Sequence, residues 1–265
     1  MMRQILSLTI LLIIAVISDG QSVGGYYKDR HWATFEMNLW TYCINPNHSI
    51  FNEHTIISEK KTEWTKGLTF MENKKVSYLP VKVYKSFPSL IAYIAYNCSL
   101  RTVNQENFER LKELQYISLS QNFLSFIPVN TFQNVTKLKY LYLSNNHFQN
   151  IDETLFNKLG NLRTLHISHN KLSMVPKTAF TSLTELRNIT LSFNFIQRLD
   201  NDHFENNKKL ERVWLNHNRI EFLSSTMFDK MSNVKTVDLS ENRCVNASAT
   251  PTRLQQLKEK VKLNC

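Results

Sequence analysis

Eight side chains able to do chemistry recur in step along this 265-residue sequence. Tyr116 precedes Tyr140, Tyr142 precedes His166, Phe193 precedes His217, each by 24 positions, and Arg212 and Trp214 fall in the same frame. Tyr, Trp and Arg are the residue types that carry most of the free energy at binding hot spots, because each offers a flat apolar body with a polar handle. Recognition is therefore the chemistry they point to. His166, His169 and His217 raise a second possibility, a metal site. If the period is one strand per repeat, two repeats separate His169 from His217 by about 10 Å, too far for one ion with ordinary ligands. No metal is expected. Catalysis finds no support: only five glycines are present, with no phosphate loop, nucleophile elbow or paired carboxylates. No catalytic residue and no cofactor are expected.

The period behind these residues is 24. Leu90, Leu114, Leu138, Leu162, Leu186, Leu210 and Val234 each open a copy of L-x-x-L-x-L-x-x-N-x-L, clearest in Leu138, Leu141, Leu143, Asn146 and Phe148. This resembles the leucine-rich repeat signature, and a spacing of 24 lies within that repeat's range. A unit of one strand and a return loop cannot bury its apolar side alone, so stacked copies share one core. The expected fold is an α/β-type leucine-rich repeat solenoid, a curved horseshoe. Its parallel sheet lines the concave face, loops and short helical turns form the convex face, and a short helix caps the C-terminus.

Alternation over repeat positions 3 to 6 makes a strand with position 4 pointing in and positions 3 and 5 pointing out. Position 9 is Asn122, Asn146, Asn170, Asn194, Asn218 and Asn242. A carboxamide there can satisfy buried backbone groups of its own turn and the next one. Phe108, Phe132, Phe156, Phe180, Phe204 and Phe228 form a second column, read as core rather than as a cofactor box. Positions 3, 5 and 8, which the core does not need, bring Tyr116, Tyr140, Tyr142, His166, Phe193, Arg212, Trp214 and His217 onto one concave wall. Seven strands at about 4.8 Å spacing lay that wall along roughly 30 Å.

The flanking segments divide the chain further. Residues 1–20 hold Arg3, an apolar run of about 13 residues and a small-residue end, the pattern of a signal peptide rather than a span. Residues 21–65 read as an N-terminal cap over the first strand's open edge. Residues 66–243 read as the solenoid, one degenerate repeat followed by seven clear ones, with Lys74 where the asparagine should stand. Residues 244–265 read as a C-terminal cap. There Thr250-Pro251 starts a helix whose apolar stripe is Leu254, Leu257 and Val261.

Four cysteines in an exported chain allow two disulfides. Cys244 and Cys265 bracket the capping helix and are expected to pair, closing a loop of about 22 residues. Cys98 stands at an asparagine position, where a buried thiol competes with a bridge to Cys43; the bridge is slightly favoured. A disulfide to a second chain stays open, so monomer and linked dimer are both allowed. Five N-glycosylation sequons begin at Asn47, Asn97, Asn134, Asn188 and Asn246. Together with the leader they point to a secreted, extracellular glycoprotein with no membrane span. The net charge of +10 favours acidic glycans or acidic proteins. Nucleic acid is not expected, because the cations are scattered among acids.

Residues 90–242 look like the 24-residue extracellular type of leucine-rich repeat found in receptor ectodomains, matrix proteins and secreted immune proteins. The ending Asn242, Arg243, Cys244, Val245 and Asn246, with a helix and a final cysteine, is similar to secreted leucine-rich proteins of insects, including immune ones of mosquitoes. Those mosquito proteins continue into a coiled coil that this chain lacks. The resemblance implies recognition of an extracellular protein or glycan, including a microbial surface in innate immunity. A second reading is a structural extracellular-matrix component held to acidic glycans by basic charge.

Overall fold

Strand follows strand in one direction through most of this protein. The computed structural model describes residues 40–43, 65–71, 74, 76–229 and 231–265. The expected signal peptide, most of the N-terminal cap, the Asn47 sequon and the side chain of Cys43 lie outside the described residues. Nine strands pair parallel and in sequence order: β1 (Trp40–Cys43), β2 (Thr65–Met71), β3 (Ala92–Tyr96), β4 (Tyr116–Ser118), β5 (Tyr140–Tyr142), β6 (Thr164–His166), β7 (Asn188–Thr190), then, past the short β8 (Arg198–Leu199), β9 (Arg212–Trp214) and, past β10 (Phe222–Leu223), β11 (Thr236–Asp238). The register is one repeat per strand, so Leu141 lies beside Leu165 and Leu165 beside Ile189. β12 (Ser248–Ala249) closes the far edge antiparallel to β11, and β8 pairs with β10 in a separate two-stranded ribbon on the return side. The return segments carry short 3-10 turns, such as Gln105–Phe108 and Asn201–Phe204. This is the leucine-rich repeat solenoid that the period predicts.

One continuous core runs the length of the stack, built from the repeated leucines and closed on the return side by the phenylalanine column. Phe156, Phe180 and Phe204 stack with centroids 6.3 and 5.6 Å apart, and Tyr93 on β3 meets Phe108 of its own repeat edge-on at 5.4 Å. Ring packing of this kind adds to the transfer free energy of burial, because the edges of one ring meet the face or flank of the next.

The asparagine column works backwards along the chain. Asn146 Nδ2 donates to the carbonyls of Leu119 and Leu143 at 2.9 and 3.1 Å, and its Oδ1 accepts from the Leu124 amide at 3.0 Å. The five other asparagines of the column repeat this pattern, so the neighbouring turn they satisfy is the preceding one rather than the following one. Cys98 fills the same seat with a sulfur, 3.4 Å from the Phe70 carbonyl and 3.6 Å from the Tyr96 carbonyl. Lys74 does not enter that seat; it is exposed and its Nζ reaches Asn97 Oδ1.

The C-terminal cap differs in detail from the sequence reading. Pro251 opens a 3-10 turn, Pro251–Arg253, which runs into helix α1 (Leu254–Asn264), and the Thr250 side chain makes no capping bond. Leu257 and Val261 are buried against the last repeat and Leu254 packs partly on it. Cys244 and Cys265 are bonded, with 5.0 Å between their Cα atoms, and fasten the helix end to the last turn.

Candidate functional site

The outward face of the sheet is divided into two halves by its own residues. At the N-terminal half, Ala92, Ile94 and Tyr116 form an apolar cluster of their own, separate from the main core, and Tyr96, Tyr140 and Tyr142 pack on it. Tyr116 lies 6.3 Å from Tyr140 and 5.2 Å from Tyr142, and Tyr142 meets His166 edge-on at 4.8 Å. Tyr116 points outward as the alternation requires, yet it is only 1% exposed, and Ser118 beside it is fully buried. Burial pushes the Tyr116 phenol well above its usual range, with the neighbouring Tyr142 adding to the effect. Tyr116 is therefore the floor of this half rather than its surface. Tyr140, Tyr142 and His166 are half-buried and form the part that solvent reaches.

The C-terminal half is polar. Ser168 Oγ and Thr190 Oγ1 share a hydrogen bond at 2.6 Å, Thr190 donates to Ser192 at 3.5 Å, and Ser192 donates to Asn216 Oδ1 at 2.5 Å. Asn188 sits inside this network: its Nδ2 donates to Thr164 Oγ1 at 3.3 Å and its Oδ1 accepts from Arg212 Nη1 at 3.2 Å. Its sequon thus lies mid-wall with both ends of the amide engaged. Trp214 is half-buried on β9, one strand from Thr190 and one from Asp238.

Phe193 and His217 leave the wall. At position 8 the backbone turns left-handed in every clear repeat, with φ between 52° and 58° from Asn97 to Glu241. That turn carries the side chain past the C-terminal end of the strand, so His169, Phe193 and His217 stack face to face along the sheet's exit edge, each pair of centroids 4.2 Å apart. The spacing follows from the ladder, since rings one strand apart stand near the strand separation. The sequence reading placed position 8 with positions 3 and 5 because the core does not need it, whereas the left-handed turn sends it to the edge instead.

Two side chains outside the earlier set share one role. Asn107 and His203 occupy the same repeat position on the return side and both are buried. Asn107 accepts from the Asn104 amide at 2.8 Å and donates to the Leu79 carbonyl at 3.0 Å. His203 Nδ1 accepts from the Asp200 amide at 3.0 Å, and Nε2 lies 2.9 Å from the Val175 carbonyl. The imidazole does an amide's job, and no spacing rule in the sequence marks it. Of the sequon asparagines, Asn246 is exposed and Asn97 and Asn134 are partly so. No group of three or more potential metal ligands converges among the described residues, and none of their helices is long and apolar enough to cross a membrane.

The Leucine rich repeat family model matches three overlapping stretches, residues 93–148, 136–196 and 184–244. No curated protein matches the chain. Among solved structures it is similar to TLR13 in a crystal structure of its complex with a single-stranded RNA, with a TM-score of 0.62 and 26% identity. It is also similar to an LRR protein of Leptospira interrogans, with a TM-score of 0.59 and 25% identity. Two thirds of this chain is covered in each case, 66% and 68%, but only 25% of the TLR13 chain and 45% of the Leptospira chain. The chain thus spans less than half the length of either. With more than half of its residues inside the family model and the matching ladder of strands, asparagines and phenylalanines, this chain belongs to the leucine-rich repeat proteins.

Proposed function

We propose that this is a secreted recognition protein that binds an extracellular protein or glycan surface through the concave wall. The observation that carries the reading is the aromatic path Tyr140, Tyr142 and His166, laid on the buried Tyr116 and followed two strands on by Arg212 and Trp214. A parallel ladder holds these rings at little conformational cost, and rings so held lose little entropy when a partner covers them. The leader-like residues 1–20 and the five sequons support export, and the likeness to TLR13 supports a recognition role in innate immunity. The RNA of the TLR13 complex is not carried over. Arg212 and Asp238 nearly cancel on the wall, which offers a polyanion little to bind.

Expression in a eukaryotic secretory host tests export. The mature protein should start at Gln21, and enzymatic removal of N-glycans should lower its mass. Tyr142→Ala with Trp214→Ala, probed on arrays of extracellular proteins and microbial glycans, should abolish the binding that the unaltered chain shows. Retained binding would refute the concave reading. The matrix reading, favoured by the net charge of +10, predicts instead that binding falls steeply as salt rises, since exposed charges are screened over about 10 Å at 0.1 M.

A further inference from the structure

The exit edge of the sheet differs from the other surfaces of the described residues. Six of the eight large hydrophobic side chains that stand exposed among the described residues fall at positions 8, 10 and 13 of a repeat. They are Tyr78, Phe123, Phe126, Met174, Phe193 and Phe195. Three of them, Phe123, Phe193 and Phe195, have cationic or imidazole companions. Phe193 is sandwiched between His169 and His217 at 4.2 Å on each side. The Phe123 ring lies 5.7 Å from His147 and carries the Arg101 guanidinium at 5.5 Å, and Arg219 lies 4.2 Å over Phe195.

Carboxylates are sparse along this edge. The exit segments of the first five clear repeats, residues 96–102, 120–126, 144–150, 168–174 and 192–198, contain no Asp or Glu. Glu72 stands before them in the degenerate repeat that holds Tyr78, and the next is Glu221, which Arg243 pairs. Arg101, Lys171 and Arg219 have no carboxylate partner among the described residues. The entry edge, before each strand, is the opposite. There Lys137 pairs Glu113 at 2.7 Å, Lys209 pairs Glu185 at 2.5 Å, and Glu211 is shared by Arg187 at 2.8 Å and Lys235 at 2.7 Å. One edge neutralises itself between neighbouring repeats, while the other presents bare rings beside unmatched cations.

We propose that the exit edge is a second docking surface, for an acidic protein segment in which carboxylates alternate with apolar side chains. The complementarity sets the partner's chemistry. Exposed rings gain most from apolar anchors that displace water, and the three cations and adjoining imidazoles gain from carboxylates at the rim. A polyanion without apolar groups would leave the rings wet, and three cations over six repeats are too sparse to hold it. An extended segment rises about 3.3 Å per residue, so roughly seven residues cover the five spacings of about 4.8 Å between the first and sixth clear repeats. The Asn97 sequon bounds the surface at its N-terminal end. This inference does not depend on the concave wall.

Fluorescence anisotropy of the full chain with labelled ten-residue peptides tests it. The probes are a peptide alternating Glu with Leu and Phe, the same peptide with Lys for Glu, and one with Ser for Leu and Phe, with heparin as competitor. The Glu/apolar peptide should bind, the others at least tenfold more weakly, and heparin should compete poorly. Phe195→Ser with Arg219→Glu should weaken that binding at least tenfold, as should Phe123→Ser with Lys171→Glu several repeats away, while Trp214→Ala leaves it unchanged. All of these side chains but Trp214 are exposed, and an unchanged melting temperature verifies the fold of each variant. The proposal fails if no peptide binds, if the Ser-containing peptide or heparin binds equally well, or if only Trp214→Ala weakens binding.

Discussion

Asn146 bonds three buried backbone groups, two as donor and one as acceptor, and its Nδ2 also reaches the partly buried Ser144 carbonyl at 3.4 Å. Asn146→Leu keeps the volume and abandons the three buried groups, so at roughly 1–3 kcal/mol for each the loss should be at least about 3 kcal/mol in urea unfolding. His203→Asn should cost less than about 1 kcal/mol, because Asn107 already does that work with an amide, whereas His203→Leu should cost about 1–3 kcal/mol. A third expectation is electrostatic. The Lys235 and Arg187 bonds hold the Glu211 carboxyl below its ordinary range, and the Arg198 and Lys177 bonds do the same for Asp200. With the folded pKa below the unfolded one, the unfolded chain takes up protons first. The stability from these pairs is therefore present above the unfolded values near about 4 and is lost as pH falls through the folded ones. Unfolding midpoints should be level above about pH 5 and fall below about pH 4, and Glu211→Gln should make that fall shallower.

At the scale of the element, the sequence showed where strands and columns lie because side-chain period and chain period coincide. Ile117, Leu141 and Leu165 had to face inward once the 24-residue frame was seen. What it did not show was how outward-facing residues treat one another. Tyr116 is outward by alternation and buried by its neighbours, and no rule about a single strand contains Tyr140 and Tyr142. The exit turn was equally hidden. Left-handed backbone is costly for residues with a Cβ, so the usual marker is Gly, yet the turn holds Gln121, His169, Phe193 and Glu241. Asn97, Asn145, His169 and His217 hint at it, being of the types that enter that conformation more readily. The C-terminal cap was legible in its apolar stripe and its cysteines. Cys244→Ser with Cys265→Ser should cost about 2–4 kcal/mol, and amide exchange should quicken first in α1 and β12.

As a whole the molecule is a line of nearest neighbours, in which each turn contacts the one before and the one after. A large-to-small change in the middle, Leu165→Ala, should cost about 2–5 kcal/mol and lower the midpoint of the entire chain, since both flanking interfaces pass through it. Hydrogen exchange should be slowest around β5 to β7 and should rise toward both ends.

The backward reach of the asparagines gives this line a direction in time. A turn emerging from the ribosome holds bare carbonyl and amide groups until the asparagine about one repeat later arrives to close it. At roughly 5–20 residues per second that wait is on the order of one to five seconds per turn. Assembly then proceeds as a zipper drawn from the N-terminus, each repeat latching its predecessor. The last repeat has no later repeat to pair with, and its Leu239 amide, which in earlier turns meets the next strand's carbonyl, is met by the Ala247 carbonyl of the cap.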